Sequence, residues 1–363
     1  MSKAAELAKM GEVLTNNQIG GRRNMILNPK MAIAQRATSK TGITSTDFHT
    51  VDRFEFYNVS AGTYTMAQST TVPTGQGFSN SVKLDCTTAD ASLAATDQVR
   101  LSTYLEGQDL QQLKYGTSDA ESITLQFWVR SNKTGTYIVW FLQPDDDRQN
   151  NVSYTINSAN TWEKKTITLS GDTTGVIDND NGRGLEISFI LAAGTDYTSG
   201  TAPSDWEARV NANRYAGQTV NLSDNTANEW LMTGFQMEVG EVATPFEHRS
   251  FGEELVLCQR YFQKSYNYGD AIGNTSNTNG SNAFQIDDGS IQRDGVRLTQ
   301  TMRANPTVVI YNPVTGSSAS VRTNAAGNHS ASNFSQGQNA FFVDYTPNTG
   351  EFLQFHHTAE AEL

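Results

Sequence analysis

The chain of 363 residues is 37% hydrophobic and 10% aromatic, but only 18% of its residues are charged, and its formal net charge is −12. The aromatic content supplies enough apolar surface for a core, which excludes a disordered chain, and the scarcity of charge excludes a coiled coil. Because nucleic-acid binding needs a basic surface, the net acidity argues against a nucleic-acid partner.

The first predicted element is a short helix at residues 1–14, with Ser2 as its N-cap and Gly11 as its stop. A polar, glycine-bearing linker follows at residues 15–23. The N-terminus lacks the apolar region of a signal peptide, and no stretch approaches the ~18 apolar residues that a membrane helix needs. We therefore expect synthesis in the cytoplasm and no membrane insertion.

Short strand-like runs begin after Asn24 and are separated by Gly, Asn and Asp turns. Many short strands of this kind predict an antiparallel sandwich or jelly roll over residues 24–250, with a long loop at 172–184. The runs that carry this prediction are 54–56, 81–87, 123–130, 136–142, 154–156, 162–169, 185–191 and 230–239.

A break in the strand pattern follows at residues 251–282. Apolar residues take helical spacing over 252–264, with Glu253 and Glu254 leading and Lys264 at the end, which suits the helix dipole. This predicts a connecting helix, followed by a polar loop. Strand-like runs resume at residues 283–363 and predict a second, smaller β-sandwich domain. The expected fold class is therefore all-β.

The sequence offers little support for catalysis. None of the five histidines lies in a nucleophile motif, and no phosphate-binding loop is present. Cys86 and Cys258 both lie in apolar runs, which indicates buried residues rather than a zinc site. We expect no enzyme activity, no cofactor and no metal site, although calcium binding by the Asp-rich loops at 145–147 and 178–180 stays open.

Carbohydrate binding has more support, because sugars are recognised by aromatic faces and planar polar side chains. The polar sides of three predicted strands supply such groups, and they would form one surface if the strands were neighbours. The alternative is that this face is a subunit interface, or that Trp128 and Trp230 are core residues. The candidate residues are Gln126, Trp128, Arg130, Glu186, Gln236 and Glu238.

Several motifs resemble a module of tailed-bacteriophage tail fibres and related virion proteins, most familiar among marine and cyanobacterial phages. The resemblance covers residues 22–264 strongly and 296–363 moderately. Four positions differ from the family pattern: Pro29 stands in place of Gly, Phe54 in place of Trp, Phe235 in place of a small or branched residue, and Met237 in place of Leu. The motifs are RNMILNP at 23–29, AQR at 34–36, TVDRF at 50–54, FWVRS at 127–131, NTWEK at 160–164, TGFQMEVG at 233–240, ATPFE at 243–247 and CQRYF at 258–262.

The resemblance implies a jelly-roll virion protein, a fibre or spike on the tail or capsid, that attaches to host-surface glycans as a homotrimer. It further implies that residues 1–23 anchor the protein to other virion proteins and that 283–363 form the distal tip. The alternative is a capsid decoration or purely structural virion protein without receptor binding. The expected anchoring residues are Ala4, Leu7, Ala8, Arg22 and Arg23.

Overall fold

The computed structural model describes Lys3 and residues 23–276, 278–285, 292–323, 327–345 and 352–363. Apart from Lys3 and Arg23, the predicted N-terminal helix and linker, with Ala4, Leu7, Ala8 and Arg22, fall outside these residues. The chain divides into two compact units, each built from separate segments. The first unit comprises Met1–Ala32, Ser39–His49 and Phe54–Arg249, and the second comprises Ile33–Thr38, Thr50–Arg53 and Ser250–Leu363.

Twelve strands of the first unit form two six-stranded antiparallel sheets. The first sheet has the order β1-β3-β4-β12-β6-β9, and the second has the order β11-β8-β7-β10-β5-β2. The strands are β1 (Ser39–Ile43), β2 (Glu55–Val59), β3 (Thr63–Ser69), β4 (Ser81–Thr88), β5 (Gln98–Glu106), β6 (Ile123–Ser131), β7 (Gly135–Gln143), β8 (Arg148–Ile156), β9 (Glu163–Leu169), β10 (Arg183–Ala193), β11 (Glu207–Ala208) and β12 (Glu229–Val239).

The core of the first unit lies between the two sheets and is rich in aromatic rings. Phe127 of β6 meets Phe189 of β10 edge to face at 5.0 Å, and Phe235 of β12 meets the same ring at 5.1 Å. Edge-to-face contacts at this spacing are favourable beyond the burial of apolar area. The alternating residues of facing strands therefore interdigitate as in a sandwich.

A bulge in β12 changes which residues of that strand face the core. The pairing with β6 shifts between Thr233 and Gln236, and Gly234 lies within the shift with a φ of +63°. Trp230 before the bulge and Phe235 after it are both fully buried, although they are an odd number of residues apart. One extra residue thus keeps the apolar side of both halves of the strand turned inward.

Two α-helices and four 3₁₀ turns occur in the described chain from residue 23 onward. Helix α1 (Thr195–Thr198) is a single turn, whereas α2 (Phe251–Gln259) corresponds to the predicted connecting helix. It ends five residues before the predicted end at Lys264, because residues 262–264 form a strand that pairs with residues 358–360. A capping box begins α2, because the Ser250 hydroxyl accepts from the Glu253 amide while the Glu253 carboxylate accepts from the Ser250 amide. The 3₁₀ turns are Gly107–Asp109, Gln111–Leu113, Asn211–Asn213 and Leu222–Asp224.

The second unit contains one antiparallel sheet that is centred on β20. This strand pairs with β13, β14, β16 and β17, and its core includes Phe341, Leu353 and Phe355. The prediction of an all-β fold with antiparallel sheets is confirmed. The strands are β13 (Phe262–Lys264), β14 (Asn282–Gln285), β15 (Gln292–Arg297), β16 (Thr307–Tyr311), β17 (Ser320–Thr323), β18 (Gly327–Phe334), β19 (Ala340–Tyr345) and β20 (Phe352–Glu360).

Two short segments from early in the chain belong to the second unit and contribute buried charged residues to it. The carboxylate of Asp52 accepts from the backbone N–H of Gln35 at 2.9 Å and from its side chain at 2.6 Å. The guanidinium of Arg53 lies 3.4 Å from the ring centre of Tyr261 and pairs with Glu362. The QR, DR and CQRYF motifs therefore meet in one buried cluster, which stabilises the fold.

Candidate functional site

The predicted glycan-binding residues lie on two different sheets. Strands β6 and β12 are neighbours in the first sheet, as the sequence hypothesis requires, and Gln126 pairs directly with Gln236. Strand β10 lies in the second sheet between β5 and β7, so Glu186 does not join them. The structure therefore brings five of the six residues onto one sheet and separates the sixth.

Three of these residues are buried beneath the loop that follows β12. Gln126, Gln236 and Glu238 have no more than 1% of their surface exposed. Glu238 accepts hydrogen bonds from the backbone N–H of Thr244 at 2.8 Å and from its hydroxyl at 2.6 Å, while Gln236 accepts from the backbone N–H of Glu247 at 2.8 Å. Their role is to hold the ATPFE loop, and they offer no surface to a sugar.

The expected anchoring residue Arg23 belongs to the same arrangement. Its guanidinium donates to the backbone oxygen of Pro245 at 2.6 Å and lies 3.5 Å from the Glu238 carboxylate. Trp128 and Arg130 are partly exposed on the outer side of β6. Arg130 pairs with Glu229 and donates to Asn160, so it joins neighbouring segments of the sheet edge.

The outer face of the second sheet carries a different set of polar and aromatic residues around Glu186. On the neighbouring strands β2, β5 and β10, Tyr57 lies opposite Arg100, and Tyr104 lies opposite Glu186. Alternate residues of β10, such as Phe189, face the core, so Glu186 and its neighbours face away from it. We name this set the charged-aromatic cluster: Glu55, Tyr57, Arg100, Tyr104, Arg183 and Glu186.

Arg100 holds the centre of the charged-aromatic cluster. Its guanidinium lies 4.0 Å from the ring centre of Tyr57 and 3.3 Å from the carboxylate of Glu186. It also donates to the hydroxyl of Tyr215 at 2.9 Å. Glu186 accepts a further hydrogen bond from Ser188 at 2.9 Å. Every charge at this centre is therefore paired, and the side chains are fixed.

The rim of the charged-aromatic cluster is partly open to solvent. Glu55, Tyr57 and Arg183 are partly exposed, and the guanidinium of Arg183 lies 3.7 Å from the ring centre of Tyr104. The Tyr104 hydroxyl donates to Glu55. Burial raises the pKa of the Glu55 carboxyl, and the donors around it oppose that rise. The rim thus presents an aromatic ring, a carboxylate and a guanidinium in fixed positions.

The other side of the same face is closed by the segment after α1. Tyr215 meets Trp140 edge to face at 5.7 Å, and the guanidinium of Arg214 lies 4.3 Å from the centre of the Trp140 ring. Trp140 is 1% exposed. This aromatic stack supports the charged-aromatic cluster from one side and leaves the β2 side as its open edge.

The sequence prediction found only Glu186 among the members of this cluster. Strand β5, which supplies Arg100 and Tyr104, was not among the predicted strands. Its alternation of Val99 and Leu101 with Arg100 and Ser102 is the signal that identifies the strand. The partners of Glu186 could not be assigned without knowing that β10 lies beside β5.

The Asp-rich loops use their carboxylates to hold the turns of the chain. Asp145 accepts from the backbone N–H of Asp178 at 3.0 Å, and Asp146 accepts from that of Val176 at 2.7 Å. Among the described residues, no group of three or more side chains is arranged to hold a metal ion. In the same part of the chain, no helix has the length and apolar character to cross a membrane.

Comparison with known proteins finds similarity among solved structures. No family model and no curated protein matches the chain. The enzymatically active domain of bacteriophage CBA120 tailspike protein 4 is similar over 60% of this chain and 21% of its own, with 10% identity and a TM-score of 0.32. The chain therefore corresponds to about a fifth of the length of that tailspike structure.

Carbohydrate-binding modules are also among the similar structures. The family 11 module of the Clostridium thermocellum cellulase Lic26A-Cel5E is 12% identical over 59% of this chain and 99% of its own, with a TM-score of 0.30. TmCBM61, solved with β-1,4-galactotriose, is 11% identical over 60% of this chain and 99% of its own, also with a TM-score of 0.30.

Proposed function

We propose that the protein is a virion component of a tailed bacteriophage, a fibre or spike of the tail or capsid, that attaches to glycans on the host surface. The resemblance of its sequence motifs to tail-fibre modules supports the virion role. The charged-aromatic cluster carries the proposal of glycan attachment, because it is a partly exposed set of aromatic and planar polar groups.

The chemistry of a sugar ring matches the rim of this cluster. A sugar offers C–H surfaces that pack on aromatic rings and hydroxyls that need fixed hydrogen-bonding partners. Tyr57 supplies the ring, Glu55 supplies acceptors and Arg183 supplies donors. Because internal ion pairs and stacking already hold these side chains, a ligand loses little affinity to the ordering of the site.

The proposed activity is adhesion without bond cleavage. The Glu186 carboxylate forms ion pairs with Arg100 and Arg183 and accepts a hydrogen bond from Ser188. The Glu55 carboxylate accepts a hydrogen bond from Tyr104. Assembly as a homotrimer on the virion surface would present three such sites, and linked weak sites gain avidity without new contacts. Weak binding at each site is therefore sufficient for attachment.

A Tyr57→Ala variant of the full-length protein tests the glycan site. On an array of bacterial surface polysaccharides, we expect the wild-type protein to bind at least one glycan and the variant to bind it at least tenfold more weakly, because the ring is lost. Tyr57→Phe, which keeps the ring, should retain binding. Val59→Ala, on the exposed end of the same strand, is the control.

Two outcomes would overturn the glycan proposal: absence of wild-type binding, or equal binding by Tyr57→Ala. Release of reducing ends from the bound glycan would show catalysis and contradict adhesion alone. Immunogold labelling of phage particles tests the virion role separately, and the expected result is label on the tail or capsid surface. Label at that surface without any glycan binding would favour a decoration protein.

A further inference from the structure

A groove of about 410 Å³ lies in the first unit, apart from the charged-aromatic cluster. Its walls come from β7, β8, the end of β9 and the segments at 202–204 and 216–217. None of the six residues of the charged-aromatic cluster lines it. Protein pockets that hold small molecules span about 300–1,000 Å³, so the groove has the volume of a ligand site.

The lining of this groove is neutral. Its fourteen residues include no Asp, Glu, Lys, Arg or His. This neutrality contrasts with a chain of net charge −12, and it leaves no partner for a phosphate, a carboxylate or an ammonium group. A ligand of the groove is therefore recognised through hydrogen bonds and apolar contact rather than through charge.

The groove holds polar side chains with unused hydrogen-bonding capacity. Asn150 is 5% exposed, and its side-chain amide has no hydrogen-bond partner within the part of the chain that the structure describes. Asn151 is fixed by donating to the backbone oxygens of Asn213 at 2.7 Å and Arg214 at 3.2 Å, which leaves its own oxygen as an acceptor.

Apolar and small residues complete the same lining. Val152, Leu169 and Pro203 provide C–H surfaces, while Ala216 and Gly217 leave the space open. Hydroxyls of Ser153 and Ser204 lie at exposed positions of the lining. The groove thus combines amides and hydroxyls with short apolar surfaces, and it has no charge.

We propose that this groove binds a neutral oligosaccharide, as a site independent of the charged-aromatic cluster. Hexose units carry hydroxyls that both donate and accept, together with C–H faces, and this combination matches the lining. The competing occupant is a strand from a second copy of the chain, because β8 pairs with β11 only at Arg148 and Gln149 within the described chain. The neutral, amide-rich lining favours the sugar.

A groove-filling substitution tests this site in the full-length protein. The probes are neutral tetrasaccharides of glucose, galactose and mannose, with tetragalacturonate as the charged counterpart, and binding is measured by saturation-transfer NMR and calorimetry. We expect at least one neutral probe to bind and tetragalacturonate not to bind. Ser153→Tyr should weaken that binding at least tenfold, and Asn150→Ala should also weaken it.

The matched control is Thr155→Tyr, an exposed residue two positions along β8 that does not line the groove. It should leave binding unchanged, and circular dichroism checks that each variant is folded. The proposal is overturned if no neutral probe binds, if both tyrosine variants weaken binding equally, or if Ser153→Tyr changes only the oligomeric mass. Tyr57→Ala should not affect these probes, so failure at one site is distinguishable from failure at the other.

Discussion

Glu163, in the NTWEK motif, stabilises the turn between β8 and β9. Its carboxylate accepts from the backbone N–H groups of Asn157 and Ser158, each at 2.8 Å, and from the side chain of Lys165 at 2.5 Å. Although burial by itself raises the pKa of this carboxyl, these donors outweigh that effect and lower its pKa to about 2.

The low pKa of Glu163 makes the stability of the protein depend on pH in a defined window. The unfolded carboxyl binds a proton near pH 4.5, whereas the folded one resists protonation until about pH 2. The stabilisation is therefore complete above pH 4.5 and is lost as the pH falls towards 2. We expect Glu163→Gln to lower the free energy of unfolding at pH 7 by about 1 kcal/mol and to flatten this decline.

Urea unfolding at several pH values measures this effect. Glu241→Gln, at an exposed position, is the control and should reproduce the wild-type curve. A Glu163→Gln variant that retained the full wild-type decline between pH 4.5 and 2 would contradict the assignment.

Sequence reasoning at the residue scale identified the polar face of β6 and β12 but not its burial. The alternation that selected Gln126, Gln236 and Glu238 is real, since all three point to the outer side of the first sheet. Thr244 and Glu247 cover them from a loop later in the chain. Alternation reports which side of a strand a residue takes, and it carries no information about what covers that side.

At the scale of the secondary-structure element, the bulge in β12 requires a glycine at position 234. This glycine has a φ of +63°, and a Cβ placed there would lie 2.5 Å from the ring of Phe78. Gly42 in β1 has a similar φ of +68°, but nothing lies within 4 Å of its Cβ position. A side chain at Gly42 would therefore cause backbone strain alone, whereas a side chain at Gly234 would cause backbone strain and a steric clash.

We expect Gly234→Ala to destabilise the first unit by about 3 kcal/mol or more, and Gly42→Ala by about 1–2 kcal/mol, because only the first adds a clash to the strain. Thermal and urea unfolding of the two variants, compared with wild type, measure the difference. Equal losses would show that Phe78 moves aside and that the bulge tolerates a side chain.

Strand prediction succeeded where one face of the strand is apolar and bounded by turns. The alternating run at 81–87 corresponds to β4, and the run at 123–130 corresponds to β6. Strand β5 was missed because every residue from Gln98 to Glu106 is buried, with polar side chains on one face satisfied by neighbouring strands. From the sequence, a charged residue such as Arg100 is expected at the surface, yet Arg100 is buried at the centre of the charged-aromatic cluster.

At the scale of the whole molecule, the two compact units differ from the sequence-drawn boundaries in two short segments. Residues 33–38 and 50–53 fall in the second unit, whereas the sequence boundaries include them in residues 24–250. Their buried charges explain the difference, since Arg36 pairs with Glu360 at 2.8 Å and with Glu362 at 3.2 Å. The motifs marked these residues, but their partners depend on three-dimensional proximity.

The second unit contains a buried histidine that makes its stability sensitive to acid. His357 is 6% exposed, its Nδ1 accepts from the side-chain N–H of Asn282 at 3.0 Å, and its ring meets that of Phe341 edge to face. Burial, and then the neighbouring His356, lower its pKa from 6.5 to about 4. The unfolded histidine therefore takes up a proton at a pH where the folded one does not.

We expect the stability of the second unit to be complete above pH 6.5 and to decline as the pH falls from 6.5 to about 4. Calorimetric unfolding of the full chain measures this decline, and His357→Gln should flatten it, with His49→Gln as the control. An NMR titration of His357 in the wild-type protein gives an independent check, because a midpoint near 6.5 would contradict the prediction.

The buried charge cluster of the second unit can form only after the ribosome has synthesised the C-terminal end of the chain. Arg53 and its partner Glu362 are 309 residues apart in the chain. At a synthesis rate of roughly 5–20 residues per second, Glu362 is synthesised about 15–60 s after Arg53. Meanwhile, the ribosome completes residues 54–249, so both sheets of the first unit can form before the cluster is complete.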